Sequence, residues 1–419
     1  MPAIANILAG LDRIRPELES LYKDLHAHPE LGHAEHRTSG KAAQRLAEYG
    51  YDVHDGIGGT GVAGVLENGD GPVVLVRADM DALPIREQTG LPYASTATAP
   101  GNGGTPQPVM HACGHDVHVT CLLGAARLMA ESRENWNGTL IALFQCAEES
   151  GDGADAMITD GLTGQVPRPD VCLAQHVLPF PAGQVATRSG AVLSAADNYR
   201  ITVHGRGAHG SRPQAGVDPV VIASMIVIRL QTIVSREIGM LTPAVVTVGS
   251  LHTGTTPNNV PESARMEINV RTYDADTRAQ VRAAIERIAR AECMAADAPN
   301  PPDIEHFGSF PPTVNDEATT GKVADAFHRY FGDQAAALDL QTASEDFSKI
   351  PDAFGVPYTY WGIGGADPGR YAQAAEDGTV GRAIPVNHNA HFAPVIQPTL
   401  DTGVQAIVVA TAQWLASGP

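Results

Sequence analysis

The sequence predicts an α/β fold with a mostly parallel central sheet, joined to a smaller inserted α+β domain. Short apolar strands alternate with helical segments in the first part of the chain, which is typical of a parallel sheet covered by helices. The run Val73–Val76 is apolar on both faces, as expected of a central strand. After residue 190 the strands instead alternate polar and apolar residues, which predicts a second sheet with one exposed face.

The composition is that of an ordinary globular protein and argues against a nucleic-acid-binding protein and against a membrane protein. The chain has 419 residues, enough for two domains. Its formal net charge of -19 argues against a nucleic-acid partner, whose phosphates require basic patches. An apolar run of about 18 residues does not occur, so no membrane span is expected. Its five cysteines lack disulfide-framework spacing and Met1 to Pro16 lack a signal-peptide pattern, which predicts a cytoplasmic protein.

The first and last parts of the chain supply the elements of the main domain, expected at 1–189 and 308–419. Helical spacing of apolar residues predicts helices over 3–25, 117–132, 155–160, 317–331 and 401–416. A further helix ends at Tyr49, and Thr38 or Ser39 would cap its start. Apolar runs predict strands over 61–67, 72–78, 139–144, 171–174 and 358–361.

The middle of the chain predicts a separate domain at 190–307. Alternating residues predict strands over 198–204, 244–251 and 264–273, with a last strand at 303–306. Amphipathic or apolar segments predict helices over 217–234 and 277–295. The resulting order, β-α-β-β-α-β, is that of the ferredoxin-like fold.

The stretch His111–His118 gathers three imidazoles, a thiol and a carboxylate into eight residues. Cys113 and His115 are good ligands for zinc, manganese, cobalt or nickel, and Gly114 lets the backbone bend around an ion. The sequence has no CxxC pair to complete a structural zinc site, so further ligands must come from distant residues, as is usual for a catalytic metal. The alternative interpretation is a His-rich loop with a buried structural cysteine.

Polar side chains stand at the carboxyl ends of three predicted strands: Asp79 and Asp81, Glu148 and Glu149, and His176. Ligands of open α/β sheets bind at this edge, so these groups are expected to lie close to the stretch His111–His118, called the metal motif below. A metal ion lowers the pKa of a bound water towards ~7, and a nearby carboxylate can take the proton and deliver it to a leaving amine. The alternatives are a solvated turn for the glutamates, turn formation for the aspartates and a core position for the histidine.

The second domain carries three residues suited to a substrate: His209 on a glycine-rich turn, Asn258 between two strands and Arg271 on a strand. A hydrolase needs donors for the oxyanion that develops on the scissile carbonyl, and a cation for a substrate carboxylate. These residues supply both if they face the metal site. The alternative is turn formation for His209 and Asn258 and an intra-sheet salt bridge for Arg271.

Eight short motifs occur together in a specific order: His28–Gly32 with Glu35 and Thr38, Arg77–Pro84, His111–Asp116, Ala147–Glu149, Gly207–His209, Asn258–Pro261, Ser344–Phe347 and His388–Phe392. In this combination the chain resembles the metal-dependent aminoacylase/carboxypeptidase family of di-metal hydrolases. The resemblance runs nearly end to end. It is to the amidohydrolase branch, which includes hippurate hydrolases, indole-acetyl-amino-acid hydrolases and aminobenzoyl-glutamate hydrolase-like proteins.

The resemblance implies a catalytic domain with two divalent metal ions (manganese, zinc, cobalt or nickel) and an inserted lid domain that mediates dimerisation. The implied metal ligands are Cys113, His115, Glu149, His176 and His388, and Cys113 bridges the two ions. The implied catalytic residues are Glu148 as general base, Asp81 as the carboxylate that orients a ligand, and His209 at the carbonyl oxygen, in its own subunit or across the dimer. His391 is the alternative to His388, because Ala390 replaces the proline of the family motif.

The implied function is hydrolysis of an N-acyl or N-aroyl amino acid, or a related amide, by a metal-activated water. One alternative is a dipeptidase or carboxypeptidase of the same family. Another is a non-catalytic metal- or ligand-binding relative, which the intact set of ligands and catalytic carboxylates argues against. The expected partners are a small N-acyl amino acid or peptide-like substrate and further copies of the chain, in a homodimer or higher homo-oligomer. Neither nucleic acid nor a membrane is expected.

Overall fold

The computed structural model describes residues 2–101 and 104–416 and divides into two compact units. The first unit comprises Met1–Val192, Val314–Leu340 and Asp346–Pro419, and the second comprises Leu193–Thr313 and Gln341–Glu345. The sequence places the corresponding boundaries at 190 and 307. It does not anticipate the short return of 341–345 into the second unit.

The elements are as follows in chain order. The first unit begins with α1 (Pro2–Leu8), α2 (Leu11–Ala27), α3 (His36–Glu48), β1 (Asp52–Ile57), β2 (Gly61–Asn68), β3 (Val73–Asp79), β4 (Thr98–Pro100), β5 (Pro106–Pro108), α4 (His115–Glu131), β6 (Gly138–Gln145), α5 (Gly153–Thr159), α6 (Leu162–Gln165), β7 (Val171–Pro181), β8 (Val185–Thr187) and β9 (Gly190–Leu193). The second unit contains β10 (Ala195–His204), β11 (Ala208–His209), α7 (Pro219–Thr232), β12 (Val245–Thr253), β13 (Asn259–Val260), β14 (Ser263–Thr272), α8 (Ala275–Ala295) and β15 (Asp303–Phe310). The chain then continues through β16 (Thr313–Asn315), α9 (Glu317–Phe331), β17 (Ala335–Ala337), α10 (Lys349–Phe354), β18 (Tyr358–Ala366), α11 (Pro368–Glu376), α12 (Val380–Ala383) and α13 (Ile396–Leu415).

An eight-stranded sheet forms the core of the first unit, in the order β1-β2-β6-β3-β7-β18-β8-β17. Its central strands β6, β3, β7 and β18 are parallel to one another. β3 and β6 are buried along almost their whole length, as expected of central strands in a covered sheet. The predicted α/β fold with a mostly parallel centre is therefore confirmed.

The second unit is built on a four-stranded antiparallel sheet in the order β12-β14-β10-β15. Helices α7 and α8 bury apolar residues against it, among them Ile222, Ile226 and Ile285. With α7 after β10 and α8 after β14, the element order is the predicted β-α-β-β-α-β.

The helical segment Pro219–Glu237 has the length and mean hydropathy, 1.4, of a helix that could cross a membrane, by length and composition only. No segment with the length and composition of a membrane span was expected from the sequence, and this helical segment departs from that expectation. Its buried stripe belongs to the core of the second unit, where Leu230 is fully buried. Its opposite side is also apolar, with Val221 and Ile228 exposed to 58% and 63%.

Two predictions for the first helices were wrong, one on the continuity of a helix and one on a helix start. The helix predicted at 3–25 is divided between α1 and α2 by a turn at Ala9 and Gly10. The second helix, α3, begins at His36, so Thr38 and Ser39 lie inside it and do not cap it. The carboxylate of Glu30 instead accepts the N–H groups of Arg37 and Thr38, each at 2.8 Å, and so satisfies the orphan donors of the first turn.

The strand predicted at 171–174 is too short, since β7 continues to Pro181. His176 therefore lies inside a strand and not after its end. The reason is that β18 pairs with β7 beyond the point where β3 stops, and Gly362 is the partner of His176. His176 still lies past the last pairing of β7 with β3, which is Arg77 with Ala174. It therefore remains near the edge where β3 ends.

Candidate metal centre

The metal motif passes from a loop into the first turn of α4. His115 is the first residue of this helix, and Gly114 before it has a φ of 86°, a left-handed conformation that favours glycine. A Cβ at Gly114 would lie 2.3 Å from Cγ1 of Val177 in β7. Glycine at this position therefore allows the motif to approach β7, where His176 precedes Val177.

The five predicted metal ligands come together in the first unit. The Sγ atom of Cys113 lies 3.4 Å from Nε2 of His176. The Oε1 atom of Glu149 lies 3.3 Å from Nε2 of His388 and 3.9 Å from Nε2 of His115. One ligand atom from each of Cys113, Glu149 and His388 falls within 4.8 Å of the other two. These residues, which span positions 113 to 388 of the sequence, thus form a single cluster.

Several polar atoms of this cluster are buried without a well-formed hydrogen bond. Among the described residues, both ring nitrogens of His115 and Oε1 of Glu149 have ionisable neighbours at 3.3 to 4.0 Å and no hydrogen bond of good geometry. Unpaired buried polar atoms are costly, at about 1–3 kcal/mol each. A cation at the cluster would satisfy these lone pairs, so the donor set fits a metal ion.

The charges of the cluster lead to the same result. Burial lowers the pKa of His115, but the carboxylates of Asp79, Asp81 and Glu149 outweigh burial and raise this pKa to about 10. Burial raises the pKa of the Cys113 thiol well above its ordinary value, and the charge of Glu149 raises it further. Both groups therefore retain protons in this excess of negative charge. A divalent cation would replace those protons and hold the sulfur as a thiolate.

The imidazole of His176 is held in one orientation and is neutral. Its Nδ1 donates to the carbonyl of Val177 at 2.8 Å, which leaves the Nε2 lone pair directed at Cys113. Burial lowers the pKa of His176 well below its ordinary value, and the neighbouring His118 and His115 lower it further. The imidazole is therefore neutral, as metal ligation requires.

Asp79 and His118 also lie within ligand distance of His115 and His176, but their hydrogen bonds already engage them. Asp79 accepts from Arg77 at 2.6 Å and from Nδ1 of His118. Nε2 of His118 accepts the backbone N–H of Val177 at 2.9 Å. With both nitrogens of His118 occupied, this pair fixes β3 and β7 to α4 rather than offering free lone pairs.

The two remaining polar side chains of the motif differ from each other. Asp116 accepts from His26 at 2.7 Å and from the N–H of Val117 at 3.0 Å, so it satisfies one amide in the first turn of α4 and connects this helix to α2. Both ring nitrogens of His111 are buried without a hydrogen-bond partner among the described residues. The structure shows no physical reason why a histidine is buried at position 111.

Asp81 contacts both His115, a predicted ligand, and the turn that carries the two glutamates. Its Oδ1 lies 3.3 Å from Nδ1 of His115. Its two oxygens accept the backbone N–H groups of Glu148 and Glu149, at 3.1 and 3.0 Å. The carboxylate of Glu148 lies 4.0 Å from Nε2 of His115, and the residue is only 5% exposed. Glu148 is therefore a buried carboxylate at the margin of the cluster.

The geometry separates His388 from His391. The backbone N–H of His388 donates to the carbonyl of Ala112 at 2.8 Å, which brings its imidazole to Glu149. Nδ1 of His391 instead lies 2.8 Å from the backbone carbonyl of Gln88. His391 lines a different feature, a cavity of about 290 Å³ in the same unit. His388 is thus the histidine that reaches the cluster.

Asn387 was not predicted to have a role. Its Nδ2 donates to the backbone carbonyls of Cys113 and Val177, at 3.1 and 3.2 Å, and lies 3.9 Å from the sulfur of Cys113. It therefore fixes the loop that carries the thiol. Its position immediately before His388 in the last motif was the available signal.

In the second unit, His209 and Asn258 are neighbours. β11 pairs with β13 so that His209 is opposite Asn259, and the N–H of Gly210 donates to the carbonyl of Asn258 at 2.8 Å. Nδ1 of His209 accepts the N–H of Ser211 at 3.1 Å, which leaves Nε2 on an exposed ring. Both side chains are available to a ligand.

Arg271 lies apart from this pair. β13 leads directly into β14 at Ser263, whereas Arg271 is eight residues further along β14, roughly 26 Å away in an extended strand. Arg271 donates to Oδ1 of Asn269 at 2.9 Å and to Oγ of Ser344 at 2.6 Å. Arg271 forms no ion pair with any described residue. The alternative interpretation, in which Arg271 forms a salt bridge within the sheet, was therefore wrong.

Comparison with known proteins identifies relatives along most of the chain. Residues 75–380 match a family described as peptidase family M20/M25/M40. The chain is 36% identical over 364 residues to N-acetyl-L-cysteine deacetylase of Bacillus subtilis, covering 85% of this chain and 82% of that protein. It is 37% identical over 346 residues to hippurate hydrolase of Campylobacter jejuni, covering 82% and 87%. A solved Bacillus subtilis protein, described as a dinuclear metal binding peptidase from the M20 family, matches with a TM-score of 0.76, 27% identity, and coverage of 95% of this chain and 98% of that chain.

Proposed function

Because the chain belongs to peptidase family M20/M25/M40, we propose that it is a metal-dependent amidohydrolase that cleaves N-acyl or N-aroyl amino acids. The observation that carries this proposal is the convergence of a thiol, three imidazoles and a carboxylate beside the buried Glu148. The relatives named a deacetylase and a hippurate hydrolase support the substrate class. A carboxypeptidase is also among the relatives, so a peptide-like substrate is the second candidate.

We propose that the cluster would hold two divalent ions, with Cys113 as one of the ligands. The remaining ligands are His115, Glu149, His176 and His388. When bound, such ions polarise a carbonyl oxygen and lower the pKa of water. Thiolate, imidazole and carboxylate donors together suit manganese, zinc, cobalt or nickel.

Glu148 carries the proton in the proposed reaction. It takes a proton from the attacking water as the water oxygen bonds to the carbonyl carbon. The C–N bond then breaks, and Glu148 gives this proton to the departing nitrogen. The products are a carboxylate and a free amino acid. Asp81 keeps Glu148 and His115 in place through the contacts described above.

We assign Arg271 to the substrate carboxylate, and His209 and Asn258 to the oxyanion of the carbonyl. The roughly 26 Å along β14 from Ser263, next to this pair, to Arg271 exceeds the length of an N-acyl amino acid, which supports placing the two groups on different copies of the chain. We therefore propose that His209 and Asn258 act on a substrate held by a second copy of the chain.

Two exposed features of the second unit support such a homodimer. The outer side of α7 exposes Val221 and Ile228, and β12 is the edge strand of its sheet, with Val245 53% exposed. An exposed edge strand and an apolar helix face are both unfavourable in water unless another chain covers them.

Ile228→Asp is expected to convert the dimer to a monomer and to lower kcat, because each site would lose its partner's His209. Light scattering and steady-state kinetics measure both effects. Ala283→Asp, on the exposed side of α8, is the matched control that should remain dimeric and active.

Mixing inactive His209→Ala and Glu148→Gln chains should restore activity, because a hybrid dimer contains one complete site. Full activity of the monomer would contradict the proposal.

A substrate panel tests the activity itself. With manganese, zinc, cobalt or nickel added, N-acyl and N-aroyl amino acids are expected to give higher kcat/KM than dipeptides. A preference for dipeptides would instead support the dipeptidase alternative. Bound metal without turnover of any amide would support a non-catalytic protein.

The same panel tests Arg271 with substrates whose carboxylate is blocked as an amide. Arg271→Gln is expected to raise KM for the free carboxylates and to leave the blocked analogues unchanged, because only the former lose an ionic partner. An equal effect on both sets would remove Arg271 from substrate recognition.

We also propose a cytoplasmic location. All five cysteines are free and buried, which suits a reducing compartment. Fractionation of cells that produce the protein tests this directly, and recovery mainly outside the cytoplasm would contradict it.

A further inference from the structure

The turn that carries Glu148 has an unfavourable backbone conformation. Ala147, the residue before Glu148, has a φ of 49°, in the left-handed region that residues other than glycine rarely adopt. A residue stays in such a conformation only where its surroundings enforce it.

Three successive backbone amides of this turn donate to carboxylates. The N–H groups of Glu148 and Glu149 donate to Asp81. The N–H of Ala147 donates to Oε1 of Glu35 at 2.7 Å. Hydrogen bonds to ionised acceptors are roughly twice as strong as neutral ones. The turn is therefore held by two carboxylates, those of Asp81 and Glu35.

The carboxylate of Glu35 is fixed in turn by two elements. Its Oε2 accepts the hydroxyl of Thr60 at 2.6 Å, and its backbone carbonyl accepts the N–H of Ser39 in the first turn of α3. The residue is completely buried. Each carboxylate oxygen thus has a defined partner, so the side chain presents a rigid acceptor to Ala147.

Close packing leaves the turn little freedom to relax elsewhere. A Cβ on Gly32 would lie 3.2 Å from Cα of Ala147, and a Cβ on Gly153 would lie 1.7 Å from the carbonyl oxygen of Cys146. The N–H of Gly153 also donates to the carbonyl of Ala147 at 3.1 Å. The loss of one anchor would therefore change the direction of Glu148 rather than be absorbed along the chain.

We propose that Glu35 is a positioning residue for amide hydrolysis: through the amide of Ala147 it keeps the turn in the conformation that directs Glu148 at the metal cluster. This inference rests on the proposed function of Glu148. The two oxygens of Glu35 bond to Ala147 and Thr60 and not to a proposed metal ligand. Its effect is therefore on the turn and on proton transfer, and metal content should not change.

Glu35→Ala is expected to lower kcat by about 10²-fold, as a misplacement of about 1 Å does, while KM and metal content remain those of the wild type. Glu35→Gln should restore most of kcat, because its amide oxygen still accepts from Ala147 and its NH₂ group still reaches Thr60. Glu30→Gln is the matched control: Glu30 also accepts backbone amides, those at the start of α3, and should leave kcat unchanged. Unchanged kcat in Glu35→Ala, or metal loss in proportion to activity, would overturn the inference.

Hydrogen exchange gives a readout that does not depend on turnover. In Glu35→Ala the amides of 146–149 should exchange faster, and those of β3 and β6 should not. If Glu35→Ala does not fold, Thr60→Val, which removes the hydroxyl that holds Glu35, should show a smaller loss of kcat and the same local exchange. If the wild type hydrolyses no amide, the proposed function fails and the role of Glu35 in hydrolysis fails with it, whatever the exchange result. An active wild type with unchanged exchange in these variants overturns the inference alone.

Discussion

Glu148→Gln is expected to lower kcat by about 10²–10⁴-fold and to leave metal content unchanged. Glutamine has the shape of glutamate but cannot take a proton from water and return it to an amine. The bond from the backbone N–H of Glu148 to Asp81 does not involve the side chain, so the turn should keep its conformation. Steady-state kinetics and elemental analysis of the purified variant measure the two quantities.

The neighbouring glutamate supplies the matched control for this experiment. Glu149, Cys113 and His388 each offer one atom to a candidate metal site. Glu149→Gln should therefore lose metal together with activity. The two substitutions change the same chemical group one residue apart and should separate proton transfer from ligation. Full turnover by Glu148→Gln would remove Glu148 from its proposed role.

Cys113→Ser is expected to weaken metal binding by more than the about 10–100-fold that is typical of residues supporting a ligand. A serine hydroxyl is a neutral and weaker donor than a thiolate, so it would neutralise less of the charge of a bound cation. Metal titration followed by calorimetry measures the affinity. Cys172→Ser is the matched control. Cys172 is also buried, but it lies in the sheet, where it pairs with Leu75 of β3, and it is not part of the cluster.

The pH dependence of binding follows from the raised pKa of the Cys113 thiol. The free site holds this proton at neutral pH, so metal binding must release it. Wild-type affinity should therefore rise with pH, and Cys113→Ser should release one proton fewer per site. Calorimetry in buffers of different ionisation enthalpy counts these protons. Equal proton release and equal affinity in the variant would contradict the assignment of Cys113.

Secondary structure was predictable where the pattern is strong. The apolar runs of β3 and β6 and the helical periodicity of α8 identified these elements. The start of α3 was predicted wrongly because Glu30, rather than Thr38, supplies the capping oxygen. β7 was predicted too short because its extension depends on pairing with β18, which lies far along the chain. Each error occurred where a distant partner outweighs local preference.

The sequence by itself determined the mostly parallel α/β sheet, the β-α-β-β-α-β order of the second unit and the family, because periodicity and motif spacing are local properties. Only the tertiary structure decided what chemically similar side chains do. It directs His176 at Cys113 while His118 is held by Asp79 and Val177, and it brings His388 rather than His391 to Glu149. The physical reason is that the free lone pair of an imidazole depends on what its other nitrogen bonds to, and those partners come from other strands and loops.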